Sequence, residues 1–185
     1  MFDTALFLQL NFTASTPAQV LALARFASEK LPEFMLVAAL AVGVAGQPAW
    51  RAQAWRVLAS VALAALITRV LKRLFDMPRP FMLEMGTQWL PHGASASFPS
   101  AHATGAMAFA VSACLASLHG PWRWPVRALL LGAALLVSWS RVALGLHFPT
   151  DVLAGWCVGA VSALAVQALT RGRGWHPLAS HHQKL

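Results

Sequence analysis

The stretch Ser140-Arg141-Val142-Ala143-Leu144-Gly145-Leu146-His147-Phe148-Pro149-Thr150-Asp151 places three ionisable side chains in a short break between two apolar segments. Ionisable groups are costly at membrane depth, so such a cluster indicates a functional site. Pro149 suits the first position of a helix. A helix that begins there would let the Asp151 carboxylate reach back to the His147 imidazole, which would fix its tautomer and leave the other ring nitrogen free as a base or nucleophile. Arg141 adds donors that suit phosphate oxygens.

The composition of the 185-residue chain is typical of a membrane protein, with 58% hydrophobic and only 11% charged residues. Because a membrane helix needs about 20 apolar residues, the chain has room for about five or six helices. The net charge of +8 does not indicate a nucleic-acid partner, because the arginines lie mainly between apolar segments, where charges set topology. Cys114 and Cys157 are interpreted as core residues rather than a disulfide or metal pair. No signal peptide is expected, since the start carries Asp3 and no basic residues.

Four segments are predicted to be membrane helices: residues 55–75, 99–118, 125–142 and 149–170. Residues 17–46 leave two alternatives, one kinked spanning helix or an interfacial helix followed by a short span, with Pro32 as the expected break. We therefore expect residues 1–170 to form one all-α, polytopic membrane bundle with its active site at the extracytoplasmic helix ends. Residues 171–185 are basic and are expected to form a disordered cytoplasmic tail.

Loop charges predict the orientation of this bundle. Alternation of the helices puts three groups of basic residues on one face: Arg51, Arg56, Arg123, Arg127, Arg171, Arg173 and Lys184. By the positive-inside rule that face is cytoplasmic. The His147 cluster and the loop of residues 76–98 would then lie on the opposite, outer face.

Two further motifs accompany the first. Lys72 stands seven residues before Arg79-Pro80, and Phe98-Pro99-Ser100-Ala101-His102 opens the next apolar segment. Pro99 suits a helix start, so the backbone N–H groups near Ser100 to His102 are expected to form an anion site. As an alternative to a functional role, Lys72 could be an interfacial residue whose long side chain extends along the helix so that its ammonium group reaches water.

The order Lys-x6-Arg-Pro, Pro-Ser-x-His, Ser-Arg-x5-His-x3-Asp resembles the type 2 phosphatidic acid phosphatase superfamily over residues 55–165. The resemblance implies a membrane phosphatase in which the His147 imidazole attacks phosphorus, Asp151 orients that imidazole, and His102 protonates the leaving group. It also implies phosphate binding by Lys72, Arg79, Ser100, Ala101 and Arg141. No cofactor and no metal is implied, since the sequence has neither an acidic cluster for magnesium nor a Cys/His spacing for zinc.

Ala101 departs from the family pattern, where glycine is usual and lets backbone approach a ligand closely. Within the superfamily the chain is most similar to the bacterial undecaprenyl-diphosphate phosphatases, which also carry an acidic residue where Glu84 stands. Glu84 is therefore a possible substrate-binding residue. This resemblance implies a multi-pass protein of the bacterial inner membrane whose partners are the lipid bilayer and a polyprenyl or phospholipid phosphate.

Three functions remain open at this stage. The first is hydrolysis of undecaprenyl diphosphate to undecaprenyl phosphate and phosphate through a phosphohistidine. The second is a phosphatase for phosphatidylglycerol phosphate, phosphatidate or lipid A. The third is a non-catalytic lipid-binding or transport protein, which would need positive charge but not an imidazole paired with a carboxylate. The sequence does not indicate the oligomeric state.

Overall fold

A computed structural model describes residues 2–116 and 121–171. The described residues form an all-helical bundle with six α-helices and one short 3-10 turn, Pro80–Leu83. The helices are α1 (Phe2–Leu10), α2 (Ala18–Ala45), α3 (Pro48–Phe75), α4 (Ala101–Cys114), α5 (Arg123–Ala143) and α6 (Pro149–Arg171). The disordered tail was expected over residues 171–185, but Arg171 is the last residue of α6, and residues 172–185 lie outside the described residues.

Three helices, α3, α5 and α6, are long and apolar enough to cross a membrane, with mean hydropathies of 1.7, 1.5 and 1.9. Pro48 occupies the first turn of α3, so this helix begins seven residues before the apolar run that predicted it. The extra residues include the polar Arg51 and Gln53. Helix α3 ends at Phe75, because the next residue, Asp76, adopts a left-handed conformation with φ of 38°.

Helix α2 runs without interruption through Pro32, so residues 18–45 form one helix rather than two, but α2 is not among the helices of the described chain that are long and apolar enough to cross a membrane. Proline removes one backbone hydrogen bond and clashes with the preceding turn, but packing against neighbouring helices offsets this local cost. α2 packs against α3, α4 and α5. Its polar face carries Arg25, Glu29, Lys30 and Glu33.

Helix α4 lies at the centre of the bundle and contacts α2, α3, α5 and α6. It has only 14 residues, shorter than the expected segment 99–118, of which 117 and 118 lie outside the described residues. Surrounded by other helices, it need not match the thickness of a bilayer. The approach to α6 is close, since a side chain at Gly159 would meet the Thr104 carbonyl oxygen at 2.5 Å. Gly155 and Gly159 thus form a small-xxx-small contact.

The N-terminal helix α1 was not expected from the sequence, and it packs beside the start of α6. Phe7 is fully buried and meets Phe148 edge to face, with ring centroids 5.4 Å apart. Asp3 accepts hydrogen bonds from the backbone N–H and hydroxyl of Thr150, at 3.0 and 2.6 Å. α1 therefore braces the segment that joins α5 to α6.

Asn11, just after α1, connects three distant parts of the chain. Its side-chain amide donates to the carbonyls of Thr87 and Ala143, at 3.0 and 3.1 Å, and its oxygen accepts from the Thr87 N–H at 2.7 Å. Gly145 lies against this network with φ of 78°, and a Cβ there would clash with the Thr87 carbonyl oxygen. Asn11 thus holds the loop after Arg79 against the end of α5.

Candidate active site

The segment between α5 and α6 carries His147, whose side chain is buried. The backbone N–H groups of Leu146 and His147 both donate to the Arg141 carbonyl, at 3.0 and 3.2 Å. The left-handed Gly145 allows the chain to turn back sharply enough for these bonds. The last turn of α5 and the imidazole are therefore fixed relative to each other.

The structure brings His147 and Asp151 together as the spacing predicted. Asp151 is the third residue of α6, and its Oδ2 lies 3.3 Å from His147 Nδ1. The same oxygen accepts from the Phe148 N–H at 2.9 Å and from the Ser97 hydroxyl at 2.5 Å. Ser97 Oγ also lies 3.3 Å from Nδ1, so this ring nitrogen has both the Asp151 carboxylate and the Ser97 hydroxyl as neighbours.

Arg79 approaches the other ring nitrogen. Its Nη1 lies 3.0 Å from His147 Nε2 and 2.9 Å from the Leu146 carbonyl oxygen. A guanidinium can only donate, so Nε2 is the acceptor and the proton of a neutral imidazole is on Nδ1, towards Asp151. The lone pair of a nucleophile therefore stands on Nε2, beside a cation. Arg79 Nε is fixed by the Ser95 carbonyl oxygen at 2.8 Å.

Arg141 is buried with most of its donors unused. Its Nη1 donates to the Ser28 hydroxyl of α2, whereas Nε and Nη2 have no partner among the described residues. The buried hydroxyl of Ser100, directly before α4, has no partner there either. An unsatisfied buried donor costs about 1–3 kcal/mol. Two such groups beside His147 indicate a site for a ligand with acceptor oxygens.

Lys72 and His102 are the remaining polar side chains near His147. Lys72 Nζ, in the last turn of α3, donates to the carbonyls of Ala96 and Ser97. His102, the second residue of α4, is partly buried and makes no side-chain hydrogen bond to a described residue. The Ser100 N–H donates to the Asp151 carbonyl at 3.0 Å and is not free for an anion, so the expected N–H cradle is reduced to Ala101 and His102.

Glu84 does not join the site. It is exposed at the end of the 3-10 turn, with φ of 55°, and its carboxylate contacts no polar group of the described chain. Of the residues proposed from the sequence, Lys72, Arg79, Ser100, His102, Arg141, His147 and Asp151 converge around one region, with Ala101 on its wall.

The pKa of His147 is held well below its usual value. Burial is the main cause, followed by the positive charges of Arg79, Arg141 and Lys72. The Asp151 carboxylate does not offset these effects. His147 is therefore neutral near pH 7, the state in which Nε2 can act as a nucleophile.

A cavity of about 640 Å³ adjoins the site between α2, α3 and α4. Its polar end includes Lys72 and His102, and its far part is lined by apolar side chains, among them Met35, Val61 and Phe109. An apolar channel that leads to a cationic end suits an amphiphilic molecule with an anionic head and a hydrocarbon tail.

Sequence reasoning missed three side chains that support the site: Asn11, Ser28 and Ser97. Ser97 stands next to Phe98-Pro99, so its place in the motif was a signal. Ser28 lies on a helix predicted from its apolar and charged residues, and no sequence pattern indicates that its hydroxyl meets Arg141. Asn11 precedes the predicted helical segments, and its partners are far away in sequence.

Known proteins are similar to this chain over most of its length. Residues 53–175 match the PAP2 superfamily. The putative undecaprenyl-diphosphatase YbjG of Escherichia coli (strain K12) is 29% identical over 172 residues, which are 93% of this chain and 84% of that protein. The undecaprenyl-diphosphatase BcrC of Bacillus subtilis (strain 168) is 36% identical over 104 residues, 56% of this chain and 49% of BcrC.

A similar fold has been solved. The crystal structure of a transmembrane PAP2-type phosphatidylglycerolphosphate phosphatase from Bacillus subtilis superposes with a TM-score of 0.71 at 24% identity, covering 91% of this chain and 84% of that one. The helical bundle, the converging motif residues and the matched segment lead to one conclusion: the chain belongs to the PAP2 superfamily, as a membrane phosphatase similar to undecaprenyl-diphosphatases.

Proposed function

We propose that the protein hydrolyses undecaprenyl diphosphate to undecaprenyl phosphate and phosphate, without a metal, through a phosphohistidine. The observation that carries this proposal is the combination of a neutral His147, paired with Asp151, and unpaired donors on Arg141 and Ser100. A protein that only binds a lipid anion needs the donors but has no use for an activated imidazole.

In the first step, His147 Nε2 attacks the terminal phosphorus, and the bond from that phosphorus to the bridging oxygen breaks. The electron pair stays on the bridging oxygen, which His102 protonates. Lys72, Arg79, Ser100 and Arg141 hold the oxygens of the transferred group, whose charge they neutralise. Asp151 accepts from Nδ1–H and stabilises the positive imidazole of the phosphohistidine.

In the second step, water attacks the phosphohistidine and gives its proton to His102. The Nε2–phosphorus bond breaks, phosphate leaves, and both histidines return to their starting states. Because Arg79 donates to Nε2 before substrate binds, we infer that phosphate oxygens draw this guanidinium off the nitrogen as the complex forms.

The substrate lipid occupies the cavity in this proposal. Its head group meets the cationic end near Lys72 and His102, while part of the tail lies against the apolar wall and the rest in the bilayer. A phospholipid monoester such as phosphatidylglycerol phosphate would place its tails in the same way, so it is the second candidate substrate. We place the site on the outer face of the bacterial inner membrane.

The experiment that tests the proposal is phosphate release by purified protein from a panel of polyprenyl diphosphates, phosphatidylglycerol phosphate, phosphatidate and lipid A. We expect the diphosphates to be hydrolysed fastest, with activity retained in excess chelator and lost in the His147→Ala variant. Vanadate should inhibit, because it can accept a bond from His147 Nε2 in the phosphate position. Strict metal dependence, or an active His147→Ala variant, would overturn the mechanism.

A further inference from the structure

Two arginines on α3 have no role in the mechanism above. Arg69 and Arg73 line the cavity together with Lys72, which lies between them on the same helix face. Both arginines are exposed, and neither forms a hydrogen bond or an ion pair with any residue in the described part of the chain. Lys72, by contrast, is fixed by the carbonyls of Ala96 and Ser97.

The side of α3 that lines the cavity carries an excess of positive charge, which is unusual for a membrane-spanning helix. Three cations line the cavity within two turns of α3, and Asp76 is the only carboxylate that the described residues place on its lining. Charged side chains in spanning segments usually face a water-filled cavity or an opposite charge, because exposure to hydrocarbon is costly. Arg69 lies three residues deeper along α3 than Lys72, or about 4.5 Å at the usual helical rise.

The position of Arg69 and Arg73 along the cavity determines which part of a bound lipid would contact them. Arg141 and Ser100 are not on the lining of the cavity, so a terminal phosphate that they bind would lie just beyond its Lys72 and His102, and the apolar tail would run along Val61 and Phe109. The group that joins the phosphate to the tail then lies beside His102 and the arginines. In a monoester lipid this group is an ester oxygen, whereas in a diphosphate it is a second, negatively charged phosphate.

We propose that Arg69 and Arg73 bind the phosphate that remains on the lipid, and so make the enzyme selective for prenyl diphosphates over lipid monophosphates. This inference rests on the proposed function. When the bridging bond breaks, the electron pair passes to the bridging oxygen, so negative charge develops on the lipid phosphate in the transition state before the proton from His102 neutralises it. The arginines therefore stabilise the leaving group as well as the bound substrate, and both kcat and KM depend on them.

The test compares two substrates with the same tail, a prenyl diphosphate and the corresponding prenyl monophosphate, in the same detergent. For Arg69→Gln with Arg73→Gln we expect kcat/KM on the diphosphate to fall about 10- to 100-fold, as is typical when hydrogen bonds to a charged group are lost. On the monophosphate the loss should stay under about threefold, since a single charge-free ester oxygen gives these arginines little to bind. Lysines at both positions should restore part of the diphosphate activity.

The matched control is Arg123→Gln. Arg123 is an exposed arginine that lies over the Trp124 ring and does not line the cavity. It should leave the ratio of the two activities unchanged. An equal loss on both substrates in the double variant, or no loss on the diphosphate, would overturn the inference while leaving phosphatase function intact. A wild-type protein that does not hydrolyse the diphosphate would instead overturn the proposed function, and this inference with it.

Discussion

At the scale of single residues, the two nitrogens of His147 have opposite surroundings. Nδ1 faces Asp151 and Ser97, whose hydroxyl donates to the same carboxylate oxygen, whereas Nε2 faces the Arg79 guanidinium. The Asp151 carboxylate holds the imidazole proton on Nδ1, and the Arg79 guanidinium at Nε2 is placed to bind an anionic phosphate. The imidazole is thus oriented before substrate arrives, which avoids a reorganisation cost during the reaction.

Loss of the carboxylate tests this orientation. In Asp151→Asn the imidazole loses both its orienting partner and the stabilisation of its positive form, so we expect the barrier to rise by about 2–5 kcal/mol. Phosphate release under single-turnover conditions measures the effect on the chemical step. A variant with wild-type turnover would show that Asp151 only holds the start of α6.

Ser97 is a positioning residue in this arrangement, because its hydroxyl donates to Asp151 Oδ2 and lies near Nδ1. We expect Ser97→Ala to lower kcat about 5- to 30-fold, by analogy with the loss of one hydrogen bond to a charged group, while KM changes little. Ser97→Thr keeps the hydroxyl and should recover part of kcat. A change in KM alone would contradict this role, since Ser97 does not touch the substrate.

The lowered pKa of His147 predicts a specific pH dependence. Attack requires the neutral imidazole, so kcat/KM falls as pH drops through the pKa of the free enzyme's nucleophile. Because burial and the nearby cations lower that pKa, the acid limb should lie below about 6.5, the usual histidine value. The profile is measured as kcat/KM against pH on a soluble short-chain substrate. An acid limb above about pH 7 would contradict the lowered value.

At the scale of helices, the sequence predicted most of the membrane segments but not the short helix α1 or the tertiary contacts that hold the segments together. The apolar runs located α3, α5 and α6, because hydrophobicity alone determines where a chain can cross lipid. The sequence left open whether Pro32 divides the second helix in two, since the cost of a proline in a helix can be offset by tertiary contacts that a local pattern does not contain. It missed α1 because a nine-residue helix that braces other elements depends on those elements.

The close contact of α4 and α6 leads to a prediction about stability. A side chain at Gly159 would meet the Thr104 carbonyl at 2.5 Å and the Ala108 nitrogen at 2.8 Å. Gly159→Ala should therefore lower stability by about 1–3 kcal/mol, the usual cost of overpacking. Thermal unfolding in detergent measures it.

Gly132 provides the control, because it is also helical but a Cβ at this position would have no neighbour within 4 Å among the described residues. Gly132→Ala should be neutral or slightly stabilising, since alanine is the better helix former. Equal unfolding temperatures for the two variants would mean that α4 and α6 can move apart at little cost.

At the scale of the whole molecule, the charges divide between the two ends of the bundle. The site residues gather where α3 and α5 end and where α4 and α6 begin. Arg51 and Arg56 lie at the beginning of α3, and Arg123 and Arg127 at the beginning of α5, which is the opposite end. By the positive-inside rule we expect the site to face outward.

Cysteine labelling in intact cells tests this orientation. Gln88 and Gln47 are both exposed, Gln88 in the loop near the site and Gln47 between α2 and α3 at the far end. In a background without Cys114 and Cys157, an impermeant thiol reagent should label Gln88→Cys and not Gln47→Cys. The reverse pattern would place the site in the cytoplasm and exclude recycling of a lipid carrier from the outer leaflet.

The hydrogen bonds of Asn11 and the bond from Arg141 to Ser28 limit how far the protein can be truncated at its N-terminus. The segment that matches the superfamily begins at residue 53, yet these contacts and the α2 wall of the cavity lie before it. A fragment trimmed to the matched segment would keep every motif residue and lose the parts that hold them in register. The boundary of sequence similarity is therefore not the boundary of the autonomous folding unit, and expression of this enzyme should start from residue 1.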